Sequence, residues 1–313
     1  MERQPNTVYV AALSYGKDSI AMLEAIHQLG YPLDAIVHSE VWATDTISAD
    51  LPPMVEFKKK ADKIIKQRYG IDVEHICAMR NGEKLTYEKL FYHKPVRKNA
   101  ERERERESNG LEQAGTHLRS NIKPKRGADE EYKPYKGFPL RRGPWCNNLK
   151  DSEAIGKWCR KFRETAKPGG VINTVKYLGI AADEPLRIER HSKKDDVILP
   201  LVDIGWVEEY CRQWCCANDL LSPTYNTSLR GGCWFCHNQR LDQLRILRKE
   251  YPDLWRLLLK WDLDSPVSFH SDGHTVHDID KRLAAEEAGL VPADNRFRWK
   301  MLDDTCEQEG TSK

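Results

Sequence analysis

The 313-residue chain is expected to be an α/β protein: a doubly wound, Rossmann-like parallel sheet flanked by helices, with a small helical C-terminal appendage. Three observations predict this class. Short apolar runs alternate with helical patterns from the N-terminus onward. Those runs are rich in Val, Ile and Ala without strict alternation, as strands buried on both faces are. The first run and the helix after it are joined by a small-residue turn, Ser14-Tyr15-Gly16-Lys17-Asp18-Ser19.

The elements follow in order. Residues 7–13 (TVYVAAL) read as the first strand. Residues 19–29 read as a helix with Gly30 as its stop. Residues 33–41 form the second strand. Pro52-Pro53 opens a helix through about residue 69, closed by Gly70, and 72–77 is the third strand. A β-α-β-α-β order with helical crossovers demands parallel strands. Residues 94–137 then interrupt the pattern: apolar residues are sparse and "ERERERE" occupies 101–107, so a flexible, basic insertion is expected. Beyond it, 152–163 reads as a helix and 176–182 as a strand ending in "DEPLR". Residues 197–202 are a further strand-like run and 207–218 a helix. Leu241, Leu244 and Leu247 mark one face of an amphipathic helix over 238–250, and Pro252 starts another through residue 261. The expected division is an α/β domain over 1–237 and a helical region over 238–313.

The charge balance is nearly neutral, at +2, but uneven. From Phe91 to Gly143 there are 14 Lys/Arg against 8 Asp/Glu, a local +6. Such a segment suits an anionic partner, a nucleotide, RNA or DNA among them, or is simply a solvated insertion. No apolar run reaches the length of a membrane span, and the first residues lack the apolar core of a signal peptide. A cytoplasmic protein is expected. Its nine cysteines then read as core thiols, metal ligands or redox groups rather than disulfides.

The 14–19 turn has the setting of a phosphate site. A turn at the carboxyl end of a parallel strand aims backbone N–H groups at an anion, and the helix dipole adds to the attraction. Gly16 permits close approach, Ser14 and Ser19 offer hydroxyls, and Lys17 brings a positive charge. The plain alternative is a βα turn capped by Asp18 or Ser19. No glycine stands four residues before Gly16-Lys17, so the turn does not fit the Walker pattern. It resembles instead the S-x-G-K-D-S loop of the adenine nucleotide alpha-hydrolase (PP-loop ATP pyrophosphatase) superfamily. Within it, the phosphoadenosine phosphosulfate reductase-like family often has an aromatic residue where Tyr15 stands. "YEKLFY" (87–92), "GFPLRRGPWCNNLK" (137–150), "GIAADEPLR" (179–187), "LPLVD" (199–203), "SPTY" (222–225) and "GGCWFC" (231–236) occur in the order that family uses.

The resemblance implies ATP or an adenylyl nucleotide as ligand. Ser14, Tyr15, Gly16, Lys17, Asp18 and Ser19 would hold the phosphates, with Mg²⁺ screening them if the ligand is ATP. His38 and Ser39, at the end of the second strand, would lie near the ribose or adenine. Lys17 and Asp18, with Asp183 and Arg187 on a later rim, are the candidate catalytic residues; Arg187 or Arg190 would contact a sulfate or phosphate.

Cys233 and Cys236 form a C-x-x-C pair, which by spacing alone fits a redox dithiol, half of a zinc site, a cluster or two buried thiols. "WCNNLK" resembles the stretch carrying two adjacent cysteine ligands in iron–sulfur sulfonucleotide reductases. Here Trp145 takes one of those positions, so Cys146, Cys233 and Cys236 would be a three-cysteine set for a [4Fe–4S] cluster, with Zn²⁺ as the alternative. Cys77, Cys159, Cys211, Cys215 and Cys216 are expected in the core. His270, His274 and His277, with Asp272 and Asp278, offer a weaker zinc pattern. Cys306 lacks the E-C-G-L-H setting of thioredoxin-dependent reductases.

The expected function is therefore adenylylation and sulfur transfer, with a nucleic acid or small molecule as acceptor and a sulfur or electron donor protein as partner. The alternatives are a reductase of phosphoadenosine phosphosulfate or adenylyl sulfate, and a non-catalytic nucleotide- or nucleic-acid-binding protein with a structural zinc.

Overall fold

A computed structural model of the chain describes residues 1–94, 135–139, 144–165, 173–227, 232–270 and 272–294. Most of the basic insertion and the tail with Cys306 lie outside the described residues. The chain forms two compact units. The first comprises Met1–Tyr87 and Cys146–Cys233; the second takes the described residues of Glu88–Trp145 and Trp234–Lys313. A division at residue 237 puts 88–145 in the α/β domain instead. A chain that leaves one unit and later returns to it leaves no mark in local composition.

The first unit is the α/β fold. Its elements begin β1 (Thr7–Leu13), α1 (Lys17–Gln28), β2 (Ala35–Glu40), α2 (Pro52–Tyr69) and β3 (Val73–Cys77). A small antiparallel hairpin follows, β4 (Met79–Arg80) with β5 (Glu83–Lys84). After Cys146 come the helix Gly156–Thr165, β6 (Asn173–Tyr177), the helix Pro185–His191, β7 (Val197–Ile198) and the helix Glu208–Ala217. Five strands form one sheet in the order β3-β2-β1-β6-β7, every pair parallel. Helices cover both faces. On one, Ile20, Met22 and Leu23 of α1 share a core with Phe57 and Ile65 of α2 and with Cys211 and Cys215. On the other, Val10, Ala35 and Val37 pack with Trp158. The doubly wound parallel architecture is thus present.

The second and third strands differ from their expected bounds by one or two residues, and two later strands by more. The run over 176–182 is strand only to Tyr177, because β1 offers pairing partners from Thr7 to Ala11, opposite Asn173 to Tyr177. The run over 197–202 is strand only at Val197–Ile198, and Pro200 opens a short helix to Asp203. Proline removes a ladder donor and is preorganised for a first helical turn. The helix expected at 152 begins with a π-helical turn, Asp151–Ile155.

The second unit contains the helices Leu241–Glu250, Pro252–Asp264 and Val276–Glu287. The last follows the histidine-rich stretch. Its N-terminus is closed by a capping box: Thr275 Oγ1 accepts from Asp278 N–H and Asp278 accepts from Thr275 N–H. Trp234 stacks on Trp261 at 5.6 Å between centroids, and Phe91, Phe138 and Phe269 extend the aromatic core. Among the described residues, no helix is long and apolar enough to cross a membrane.

Candidate functional site

The strand order reverses at β1 and β6: the chain runs outward through β2 and β3 on one side and through β7 on the other. Open α/β sheets bind ligands at the carboxyl ends of their strands beside such a switch point. The loops following β1 and β6 meet here. Gly179 lies so close to the start of α1 that a Cβ on it would stand 2.7 Å from both Ser19 N and Asp18 O. Only glycine fits that approach without displacing the helix N-terminus.

The 14–19 turn is internally braced. Ser19 Oγ accepts from Ser14 N–H at 3.1 Å and from Ser14 Oγ at 3.0 Å, and donates to Gly16 O at 2.9 Å. Gly16 is the N-cap of α1 and makes no side-chain cap. Tyr15 takes a left-handed backbone, φ 57°, with its side chain fully buried. Lys17 N–H donates to Tyr225 Oη at 3.1 Å. A tyrosine hydroxyl thus takes up one of the N–H groups that a helix N-terminus leaves unmet. Tyr225 belongs to the "SPTY" stretch but was not expected among the site residues, since nothing local in the sequence links it to Lys17.

The expected catalytic residues come together. Lys17 Nζ sits 2.8 Å from Asp18 Oδ1 and 3.2 Å from Glu208 Oε2. Asp183 Oδ1 accepts from Glu208 N–H at 3.0 Å, at the start of the Glu208–Ala217 helix. Arg187 Nη1 reaches both oxygens of Glu184, at 2.6 and 2.8 Å. Asp18, Glu184 and Glu208 each place an oxygen within 4.8 Å of the other two. Glu184 and Glu208 are additions to the expected set. Glu184 was within reach of sequence reasoning, as the neighbour of Asp183 in "DEPLR"; Glu208 was not, being a plain surface residue by pattern.

Charge is unevenly shared here. Burial opposes the Lys17 ammonium, but its hydrogen bonds to Asp18 and Glu208 outweigh this and raise its pKa. Burial raises the Asp18 pKa as well, and repulsion from Glu208 and Glu184 adds to it, so that Lys17 only partly offsets the shift. Clustered carboxylate oxygens of this kind are hard donors of the type that Mg²⁺ takes.

His38 and Ser39 sit at the end of β2, both buried. His38 Nδ1 lies 2.8 Å from Leu13 O, and Nε2 lies 2.8 Å from Lys58 Nζ. A carbonyl can only accept, so Nδ1 carries the proton and Nε2 accepts from Lys58. Burial and the Lys58 charge push the His38 pKa down, in keeping with a neutral ring. The Ser39 hydroxyl is buried, without a hydrogen-bond partner among the described residues.

The cysteines fall into classes. Cys211, Cys215 and Cys159 are buried, as expected of core thiols, and burial pushes the first two up to about 12. Cys216 is exposed and Cys77 half-buried, contrary to a core placement. Cys216 neighbours Cys215 on a helix and so points off the face that Cys211 and Cys215 share. Cys146, Cys233 and Cys236 are half-buried. Cys146 and Cys233 belong to the first unit and Cys236 to the second. Asp278, in the weaker zinc pattern, is committed to its capping box. Comparison with models of known protein families gives no match, and comparison with curated proteins gives none.

Proposed function

We propose that the chain is an enzyme of the PP-loop type. It binds ATP with Mg²⁺ at the 14–19 turn and activates an acceptor by adenylylation for sulfur transfer. One observation carries the reading: a preformed helix N-terminus at the sheet's switch point, with Lys17 between Asp18 and Glu208. The N-terminus and lysine favour a polyphosphate. The three carboxylates disfavour one unless a divalent cation accompanies it, which favours ATP·Mg²⁺ over a metal-free sulfonucleotide.

In this reading Ser14, Ser19 and the loop amides orient the phosphates and Lys17 neutralises charge on them. Asp18, Glu184 and Glu208 would hold the Mg²⁺. An acceptor oxygen attacks the α-phosphorus and pyrophosphate leaves; such a reaction is accelerated mainly by positioning and charge stabilisation. Arg187 and Asp183 keep Glu184 and Glu208 in place. On the resemblance carried by "WCNNLK" and "GGCWFC", Cys146, Cys233 and Cys236 would hold a [4Fe–4S] cluster, or zinc in its stead. When bound, the cluster supplies the sulfur chemistry. The acceptor is a nucleic acid, DNA or tRNA, or a small molecule, and a sulfur or electron donor protein completes the cycle. The enzyme works in the cytoplasm, where thiols stay reduced.

The test uses anaerobically purified full-length protein. The expected result is iron and acid-labile sulfide in the wild type, lowered in Cys233→Ala, with pyrophosphate released from ATP·Mg²⁺. A colourless, zinc-loaded protein overturns the sulfur-transfer reading. Sulfite formed from a sulfonucleotide without ATP overturns adenylylation.

A further inference from the structure

Beneath the phosphate turn lies a polar network, buried at Tyr15 and open to solvent at His75, that the proposed reaction does not use. Tyr15 is its centre. Its hydroxyl donates to Asp62 on α2 and lies 3.1 Å from His75 Nε2 on β3. His75 is gripped on both sides: Nε2 is 3.1 Å from Asp62 Oδ2 and Nδ1 is 3.0 Å from Glu40 Oε1. Trp42 Nε1 holds the other Glu40 oxygen at 3.2 Å. The Tyr15 ring is flanked too. His38 meets it edge-on at 4.7 Å between centroids, and Lys58 Nζ stands 5.3 Å from the ring centre, paired with Asp50.

This investment surrounds a residue whose backbone is unfavourable. A bulky side chain at φ 57° costs on the order of 1–2 kcal/mol, and such a conformation persists only where the surroundings over-determine it. The chain leaves β1 in extended form and enters α1 through an extended Gly16, so the left-handed step at Tyr15 makes the turn between them. That step sets where the amides of Gly16 and Lys17 are aimed: they donate to Ser14 Oγ at 3.4 Å and Tyr225 Oη at 3.1 Å, hydroxyls that an anion can replace.

We propose that Tyr15 is a positioning residue of the phosphate turn, locked left-handed through its hydroxyl by Asp62 and His75, so that the turn is built for an anion before one arrives. The proposal rests on the nucleotide reading of that turn. His75 is the member that titrates: with carboxylates on both nitrogens it is held as the cation, its pKa raised to about 9 by hydrogen bonds to Asp62 and Glu40 against the cost of burial. The groups facing it are Glu40 and His38 from β2, Asp62 from α2 and Tyr15 from the turn, with Lys58 and Asp50 beyond the Tyr15 ring. Raising the pH through about 9 strips the His75 proton and leaves two carboxylates facing a neutral ring.

The test is calorimetric titration of full-length protein with ATP·Mg²⁺ between pH 7 and 10. Tyr15→Phe keeps the ring and removes only the anchor; it is expected to bind about tenfold more weakly at pH 7.5, the scale of one hydrogen bond to a charged group. Wild-type affinity is expected to fall above about pH 9, and His75→Gln to bind weakly at pH 7.5 and lose that step. Tyr15→Phe with wild-type affinity and an unchanged pH profile overturns the proposal. Should the wild type fail to bind ATP, the nucleotide reading falls, and inorganic pyrophosphate becomes the probe for positioning. Pyrophosphate binding weakened by Tyr15→Phe then sustains the positioning role; equal binding by both proteins, or by neither, overturns it.

Discussion

Lys58 shows how a charged residue can be committed to architecture rather than to ligand. Its ammonium is buried, with Asp50 on one side and neutral His38 on the other. An ammonium in such a place persists only when paired, and removing one partner strands the other. Lys58→Met should therefore lower the unfolding free energy by about 3 kcal/mol, as urea denaturation would measure. An unchanged midpoint would mean that the network carries no stability. At this scale the sequence was informative where chemistry is local. Ser14, Gly16, Lys17 and Asp18 could be singled out because a turn between a strand and a helix is a short-range object. Glu208 and Tyr225 could not: each reaches Lys17 from about 200 positions away, through the way the sheet is wound.

The decisive element is α1, and the decisive event is its N-terminus meeting the loop after β6. Gly179 makes that contact possible. Gly179→Ala places a methyl 2.7 Å from the backbone of Ser19, which has no room to yield without moving the helix start. The expected result is a loss of about 1–3 kcal/mol of stability and weaker ATP binding. Wild-type melting and affinity would contradict the close approach. Element identity was largely legible. The first strand and the helix from Pro52 to Tyr69 have the expected bounds, since their apolar patterns and their proline and glycine stops agree. Strand ends at β6 and β7 were not legible, because the neighbouring strand and a proline decide them. The Val276–Glu287 helix lies within the expected helical region, and its capping box, Thr275 with Asp278, is a local signal in the sequence.

Taken whole, the molecule puts a parallel sheet and its candidate site in one unit and an aromatic, helical core in another. Trp234 and Phe235, which stand between Cys233 and Cys236, are buried among the aromatics of the second unit. The alternation of strand and helix was enough to foresee the doubly wound sheet. The interleaving of the two units was not, because both Glu88–Trp145 and Trp234–Lys313 serve the second. The central claim concerns the first unit alone: its 14–19 turn receives a nucleotide whose phosphates come with a divalent cation. Equilibrium binding of ATP to full-length protein, with Mg²⁺ or with EDTA, compared between wild type and Lys17→Ala, tests this directly. The account predicts wild-type binding that needs Mg²⁺ and is weakened roughly ten- to a hundredfold in Lys17→Ala, the scale of losing a hydrogen bond between charged groups. ATP binding that is indifferent to both Mg²⁺ and Lys17, or no binding at all, would contradict it.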